Sequence, residues 1–130
     1  MGMKSRTKGK VGEREIASII CDLTGWNVRR KVRQLDGESD LEGVPGWCVE
    51  VKRHATATRG DISAWWGQAV TQAIAEKAAP VLFYRKNRDE WRAVWALPEL
   101  GAHGYAWTVE GCIELWAFVA RESVVSKEAA

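Results

Sequence analysis

The sequence is poor in the residues that build cross-linked, metal-knotted or membrane-embedded proteins, with three cysteines, three prolines and two histidines in 130 residues. Cys21, Cys48 and Cys112 are odd in number, far apart and in no CxxC pair. Neither a disulfide framework nor a zinc site is indicated, and all three are expected as reduced core residues. No run approaches the roughly 20 apolar residues of a membrane span. The opening "MGMKSRTKGKVGERE" also lacks the apolar stretch of a secretory signal. A soluble, cytoplasmic protein with no membrane partner is therefore expected. Internal repeats and low-complexity linkers are missing too, and 46% hydrophobic content suffices for a core without staples. One domain spanning residues 1–130 is expected, with 1–9 as a basic arm and about 98–130 as a C-terminal extension of unassigned structure.

What is present is an uneven charge. Residues 1–33 carry nine Lys or Arg against Glu13, Glu15 and Asp22, a net of +6 in a chain whose total is +2. A basic end of this kind suits a phosphate backbone, because each neutralised phosphate releases condensed counterions. Lys8, Lys10, Arg14, Arg29, Arg30, Lys31, Arg33 and, further on, Arg53 are the candidate DNA contacts. A solvated basic tail is the plainer alternative.

Ile16, Ile19, Ile20 and Leu23 recur at helical spacing, predicting a helix from about Lys10 to Leu23 that Gly25 ends. "WNVRRKV" (residues 26–32) alternates as a strand, and Asp36-Gly37 in "QLDGES" reads as a hairpin turn. After the turn at residues 43–46 comes a strand over Trp47 to Arg53, and then a helix over Ile62 to about Ala79, with Asp61 as N-cap and Pro80 as stop. "VLFYRK" and "EWRAVWAL" read as a hairpin about Asn87-Arg88-Asp89. The last third reads either as a strand followed by a helix or as a helix over 110–122, and is taken as helical. This order implies an α/β fold with a mixed sheet between helices.

The chemistry concentrates on "WCVEVKR". Side chains alternate across a strand, so Glu50 and Lys52 share one face while Trp47, Val49 and Val51 share the other. If a hairpin about "GVPG" brings Asp40 to Glu50, two carboxylates meet beside an ammonium. That is a hard-oxygen site suited to Mg²⁺, with Mn²⁺ as substitute, and to phosphodiester hydrolysis. An exposed Glu50–Lys52 ion pair with Asp40 a turn residue is the competing reading. Glu13, near the start of the first helix, either complements the helix dipole or supplies a third acid.

"KGKVGERE", "SDLEGVPGWCVEVKR", a glutamine-bearing helix and "APVLFYRKNRDEWRAV" together resemble the PD-(D/E)XK nuclease superfamily, and within it the archaeal-type Holliday junction resolvases. The resemblance spans about residues 8–97, and Ser39 stands where the motif has proline. It implies a restriction-endonuclease-like fold and a metal-dependent DNA endonuclease of DNA recombination. Asp40, Glu50 and the Val51 carbonyl would hold the cation, Lys52 would activate water, Glu13 would complete the acidic site and Gln68 would assist from the helix. It further implies a homodimer acting on four-way or other branched DNA, in the host cytoplasm if phage-encoded. A restriction-like, nicking or repair nuclease of the same fold, or a non-catalytic DNA-binding module, are the alternatives.

Overall fold

The computed structural model describes residues 2–31, 40–96 and 104–129, with residues 2–8 and 125–129 as backbone only. The first helix, α1, is Gly2–Thr24. Its start lies in the stretch expected to be an arm, because nothing in residues 2–9 carries a proline and a helix extends by one hydrogen bond per residue once its packed turns exist. Ile16 and Ile20 are fully buried, as their spacing demands. Gly25, at φ +78°, ends the helix with its N–H donating to the Cys21 carbonyl at 2.8 Å.

The strand expected over residues 26–32 is reduced among the described residues to β1, Arg29–Arg30, paired antiparallel to β2, Leu41–Glu42. The Asp36-Gly37 turn lies outside the described residues. Gly43 follows at φ +93°, and a Cβ there would run into the Asn27 carbonyl oxygen. Only glycine lets the chain pass so close to the β1 approach.

A four-stranded sheet holds the centre, in the order β3 (Trp47–His54), β4 (Ala79–Lys86), β5 (Arg92–Ala96) and β6 (Thr108–Gly111). β3 and β4 are parallel, joined across one face by α2 (Arg59–Glu76), and the remaining pairs are antiparallel. The sheet is therefore mixed and flanked by helices, as expected. On one face α1 and the last helix, α3 (Ile113–Ala129), bury Trp47, Val49, Val51, Val81, Phe83 and Trp95. Trp116 of α3 is fully buried and meets Trp47 and Phe83 edge-on, with centroids 5.5 and 5.0 Å away. On the other face Ile62, Trp66 and Ala69 of α2 cover Leu82, Tyr84, Val94 and Ala96.

The β4–β5 hairpin forms as the sequence implies. Four expectations need correction. The α2 N-cap is Thr58: its hydroxyl accepts from the Asp61 N–H at 3.1 Å while the Asp61 carboxylate accepts from the Thr58 N–H at 3.0 Å, a reciprocal box in which Asp61 is the third helical residue. At the other end Lys77, left-handed at φ 56°, stops the helix, and Pro80 lies inside β4. The C-terminal part is strand then helix: β6 completes the sheet, and Ile113, Trp116, Ala117 and Ala120 belong to the main core. Cys48 is buried, but Cys112 is exposed, not core.

Gly43→Ala should destabilise the fold by about 2 kcal/mol or more, combining a disfavoured φ with the clash at Asn27. A urea midpoint equal to wild type would show that the loop relaxes freely.

Candidate active site

β3 positions the site because its two faces lie in different surroundings. Val49 and Val51 are held by α1, so Cys48, Glu50 and Lys52 must point toward α2. Glu50 is only 4% exposed, and its Oε1 lies 3.3 Å from Lys52 Nζ. An ordinary solvent-facing ion pair is excluded by that burial. Burial pushes the Glu50 carboxyl above the usual carboxylate range, Lys52 and the Gln72 amide oppose the shift, and the charge of Glu13 adds to it. Glu50 Oε2 is buried with no hydrogen-bond partner among the described residues, and Gln72 Oε1 is in the same condition.

Asp40 arrives beside this pair by backbone pairing. Its N–H donates to the Val49 carbonyl at 2.9 Å, and its Oδ2 accepts from the Val51 N–H at 2.7 Å. Its carboxylate thus sits at the backbone between Glu50 and Lys52, on the edge of β3 away from β4. In extended backbone the N–H and C=O of one residue leave from the same edge, so the Val51 carbonyl turns toward the Asp40 side as well.

Glu13 comes from α1 and is nearly buried, at 9% exposure. Burial raises its carboxyl first, the negative charge of Asp40 raises it further, and Arg30 and Lys10 pull it back. Arg30 Nε donates to Glu13 Oε2 at 2.9 Å. The three acids are therefore electrostatic neighbours, but each is engaged by a different donor of the protein. Among the described residues no three His, Cys, Asp or Glu side chains gather as a metal-holding group.

The basic residues are less available than their count suggests. Arg29 pairs with Glu42 at 3.2 Å, Lys31 with Glu76 at 3.6 Å and Arg53 with Glu15 at 3.9 Å. Lys10 and Arg14 are exposed; the side chain of Lys8, and Arg33, lie outside the described residues. Glu15, which the sequence did not single out, binds α1 to the strand ends. Its Oε2 accepts from Trp91 Nε1 at 2.6 Å and from Arg85 Nη1 at 3.2 Å.

Of the two glutamines on α2, the one beside Glu50 is Gln72, whereas Gln68 is exposed one turn earlier. The paired tryptophans divide as adjacent helical residues must: Trp66 is 1% exposed in the α2 core, and Trp65 is half-buried against His54. Cys48, next to Glu50 on the same face, has its thiol pushed up to about 12 by burial and by Glu76, which removes it as a nucleophile at neutral pH.

A buried carboxylate beside an ammonium, with a second, half-buried carboxylate bonded to the same strand edge, is a donor set for divalent-cation and phosphate chemistry. A family model described as "Phage putative PDDEXK endonuclease" matches residues 4–100. The chain belongs to this family. The matched span of this PDDEXK endonuclease family includes Asp40, Glu50 and Lys52. Among curated proteins none matches the chain. Among solved structures it is similar to Hjc, a Holliday junction resolvase from the archaeal hyperthermophile Archaeoglobus fulgidus, at 20% identity and a TM-score of 0.48, over 66% of this chain and 70% of that one.

Because the folded state raises the Glu50 carboxyl, charged Glu50 opposes folding above the folded-state pKa, and the opposition fades as pH falls through it. Glu50→Gln should therefore be more stable than wild type at neutral pH, with the gain vanishing below the usual carboxylate range. Thermal melts of both proteins from pH 4 to 8 check this, and a loss of stability in the variant at pH 7 would contradict it.

Proposed function

We propose that the chain is a divalent-cation-dependent endonuclease, working with Mg²⁺ and tolerating Mn²⁺, that hydrolyses phosphodiester bonds in branched DNA. The observation that carries the reading is the Glu50 carboxylate, buried with Oε1 beside Lys52 and with Oε2 unpartnered among the described residues, while the Asp40 carboxylate is bonded to the next backbone N–H of the same strand. A buried ionised oxygen without a donor is expensive, and a cation is the partner that relieves it. The oxygens fit Mg²⁺ in kind and number, since that ion commonly takes one or two carboxylates and fills its remaining positions with water.

Asp40, Glu50 and the Val51 carbonyl would hold the cation. It would supply Lewis-acid neutralisation of the phosphate and a lowered water pKa. Lys52, whose ammonium is kept beside the carboxylates by Glu50, is in a position to share the negative charge that develops on the phosphate or to orient the attacking water. Gln72 steadies Glu50 from α2. Glu13 enters as the acid that fixes the Arg30 guanidinium at the rim, where a flanking phosphate could replace or join it, and Lys10 and Arg14 extend the same rim. Resolution of a four-way junction needs two symmetric cuts, so the resolvase-like form of this reading carries a homodimer with it. A phage-encoded enzyme of this kind would work on recombination intermediates in the host cytoplasm.

Cleavage of labelled four-way junction, forked duplex and linear duplex in Mg²⁺ tests the proposal. Asp40→Asn, Glu50→Gln and Lys52→Ala should each cut at least about 100-fold more slowly than wild type. Mg²⁺ at ten times its dissociation constant should stabilise the wild type by ~1.4 kcal/mol in thermal melts, and Glu50→Gln not at all. Equal cutting of branched and linear DNA would remove the branch preference; tight DNA binding with no cutting in Mg²⁺ or Mn²⁺ would leave a DNA-binding module.

A further inference from the structure

We infer that His54, stacked on Trp65, is a platform for an unpaired base beside the phosphate that is cut, which makes the substrate class DNA with single-stranded nucleotides next to the cleavage point. The inference rests on the reading that Lys52 faces a DNA phosphate. His54 ends β3 two residues beyond Lys52 on the same face, roughly 6.6 Å along the strand. A strand whose phosphate lies at Lys52 therefore brings a neighbouring base within reach of the imidazole.

The ring is exposed but ordered. Its plane lies 22° from that of the Trp65 indole, with centroids 4.8 Å apart, a stacked arrangement. Trp65 is half-buried and leans on Tyr84 at 6.3 Å. Tyr84 is buried, stands opposite Lys52 in the parallel β3–β4 register, and donates its hydroxyl hydrogen to Glu110 Oε1 at 2.8 Å. A line of rings thus runs from the interior beside Lys52 out to the surface at His54. Each member is fixed by the one beneath it.

Such a platform loses little freedom when another ring settles on it, so stacking energy is not consumed in ordering the side chain. Basic groups flank the platform: Lys86, which also pairs with Asp89 at 3.8 Å, stands opposite His54 in the register, and Arg59 at the start of α2 lies 5.9 Å from the centre of the Tyr105 ring, while Asp61 is the acidic neighbour of His54. Basic groups along an aromatic platform are the pattern that holds single strands, with stacking that tolerates any base. A base inside a duplex already has neighbours on both faces and cannot offer one to His54, whereas a base at a branch, flap or gap can. Discrimination between branched and fully paired DNA then follows from which bases are free to stack.

The test uses the full chain as wild type, His54→Ala and His54→Phe, with Ca²⁺ in place of Mg²⁺ so that binding is read without cutting. One probe is a forked duplex with 2-aminopurine at the first unpaired position, and the other is the blunt duplex of the same sequence. His54→Ala should bind the fork about tenfold more weakly and lose the 2-aminopurine quenching, with blunt-duplex affinity unchanged, and His54→Phe should restore both. An unchanged fork affinity in His54→Ala, an equal loss on both probes, or no recovery in His54→Phe would overturn the inference. Quenching that persists in a wild type unable to cut either DNA in Mg²⁺ or Mn²⁺ would support the platform while removing the nuclease reading.

Discussion

The strand Trp47–His54 is asked to do two incompatible things, and the rest of the structure follows from how they are reconciled. Its Trp47, Val49 and Val51 face must be dry, because α1 and α3 close on it, and its Cys48, Glu50 and Lys52 face must hold charge. Had the second face looked into water, Glu50 would be one of many surface carboxylates. Instead α2 crosses it, and the carboxylate is removed from solvent with Lys52 as direct counter-charge and Gln72 at its side. The edge position of β3 supplies the remaining requirement. With β4 on one side only, the other side of its backbone is open to Asp40, which takes both a main-chain and a side-chain bond there. An interior strand would have spent those groups on a second neighbour.

That arrangement sets stability against chemistry. Desolvation raises the carboxyls of both Glu50 and Glu13, so the protein holds two acids close together in surroundings that favour their neutral forms. The supporting contacts lie away from the acids themselves: Glu15 pins α1 to Trp91 and Arg85, the Thr58–Asp61 box fixes the start of α2, and Trp116 fills the core beneath β3. Burial in these elements offsets the strain at the site, as is general where function and local stability conflict.

Much of this was legible because it depends on short periods. Alternation over "WCVEVKR" separates the two faces of β3, and the spacing of Ile16 and Ile20 picks the buried side of α1. The hairpin of β4 and β5 declares itself through a polar turn between two β-rich runs. Other features depend on where whole elements cross, which no local pattern encodes. Gln68 and Gln72 occupy successive turns of one helical stripe, and only the height at which α2 passes over β3 decides that Gln72 meets Glu50. Asp61 looked like the cap because it precedes the first apolar residue, although the box Thr58-x-x-Asp61 starts the helix three residues sooner. β6 could not be told from the start of a helix because four residues, Thr108–Gly111, are too few to show alternation, and their strand character comes from pairing with β5.

The charge pattern is the case in which the sequence overstated its own meaning. A net of +6 over residues 1–33 treats each cation as available, yet Arg29, Arg30 and Lys31 are matched to Glu42, Glu13 and Glu76, of which two come from later in the chain. These pairs are not equal. The Arg29–Glu42 side chains are 68% and 50% exposed, and a pair so open is worth little, so a phosphate could displace Glu42 with small loss. Arg30 and Glu13 are 19% and 11% exposed, and breaking that pair would leave a buried carboxylate without its donor. A phosphate at Arg30 must therefore share the guanidinium with Glu13 and cannot take it over. The guanidinium can serve both, since it offers five N–H donors in one plane and Glu13 engages it through Nε. Arg30 would then hold the phosphate in a fixed orientation relative to the acids, whereas Arg29 contributes charge without direction.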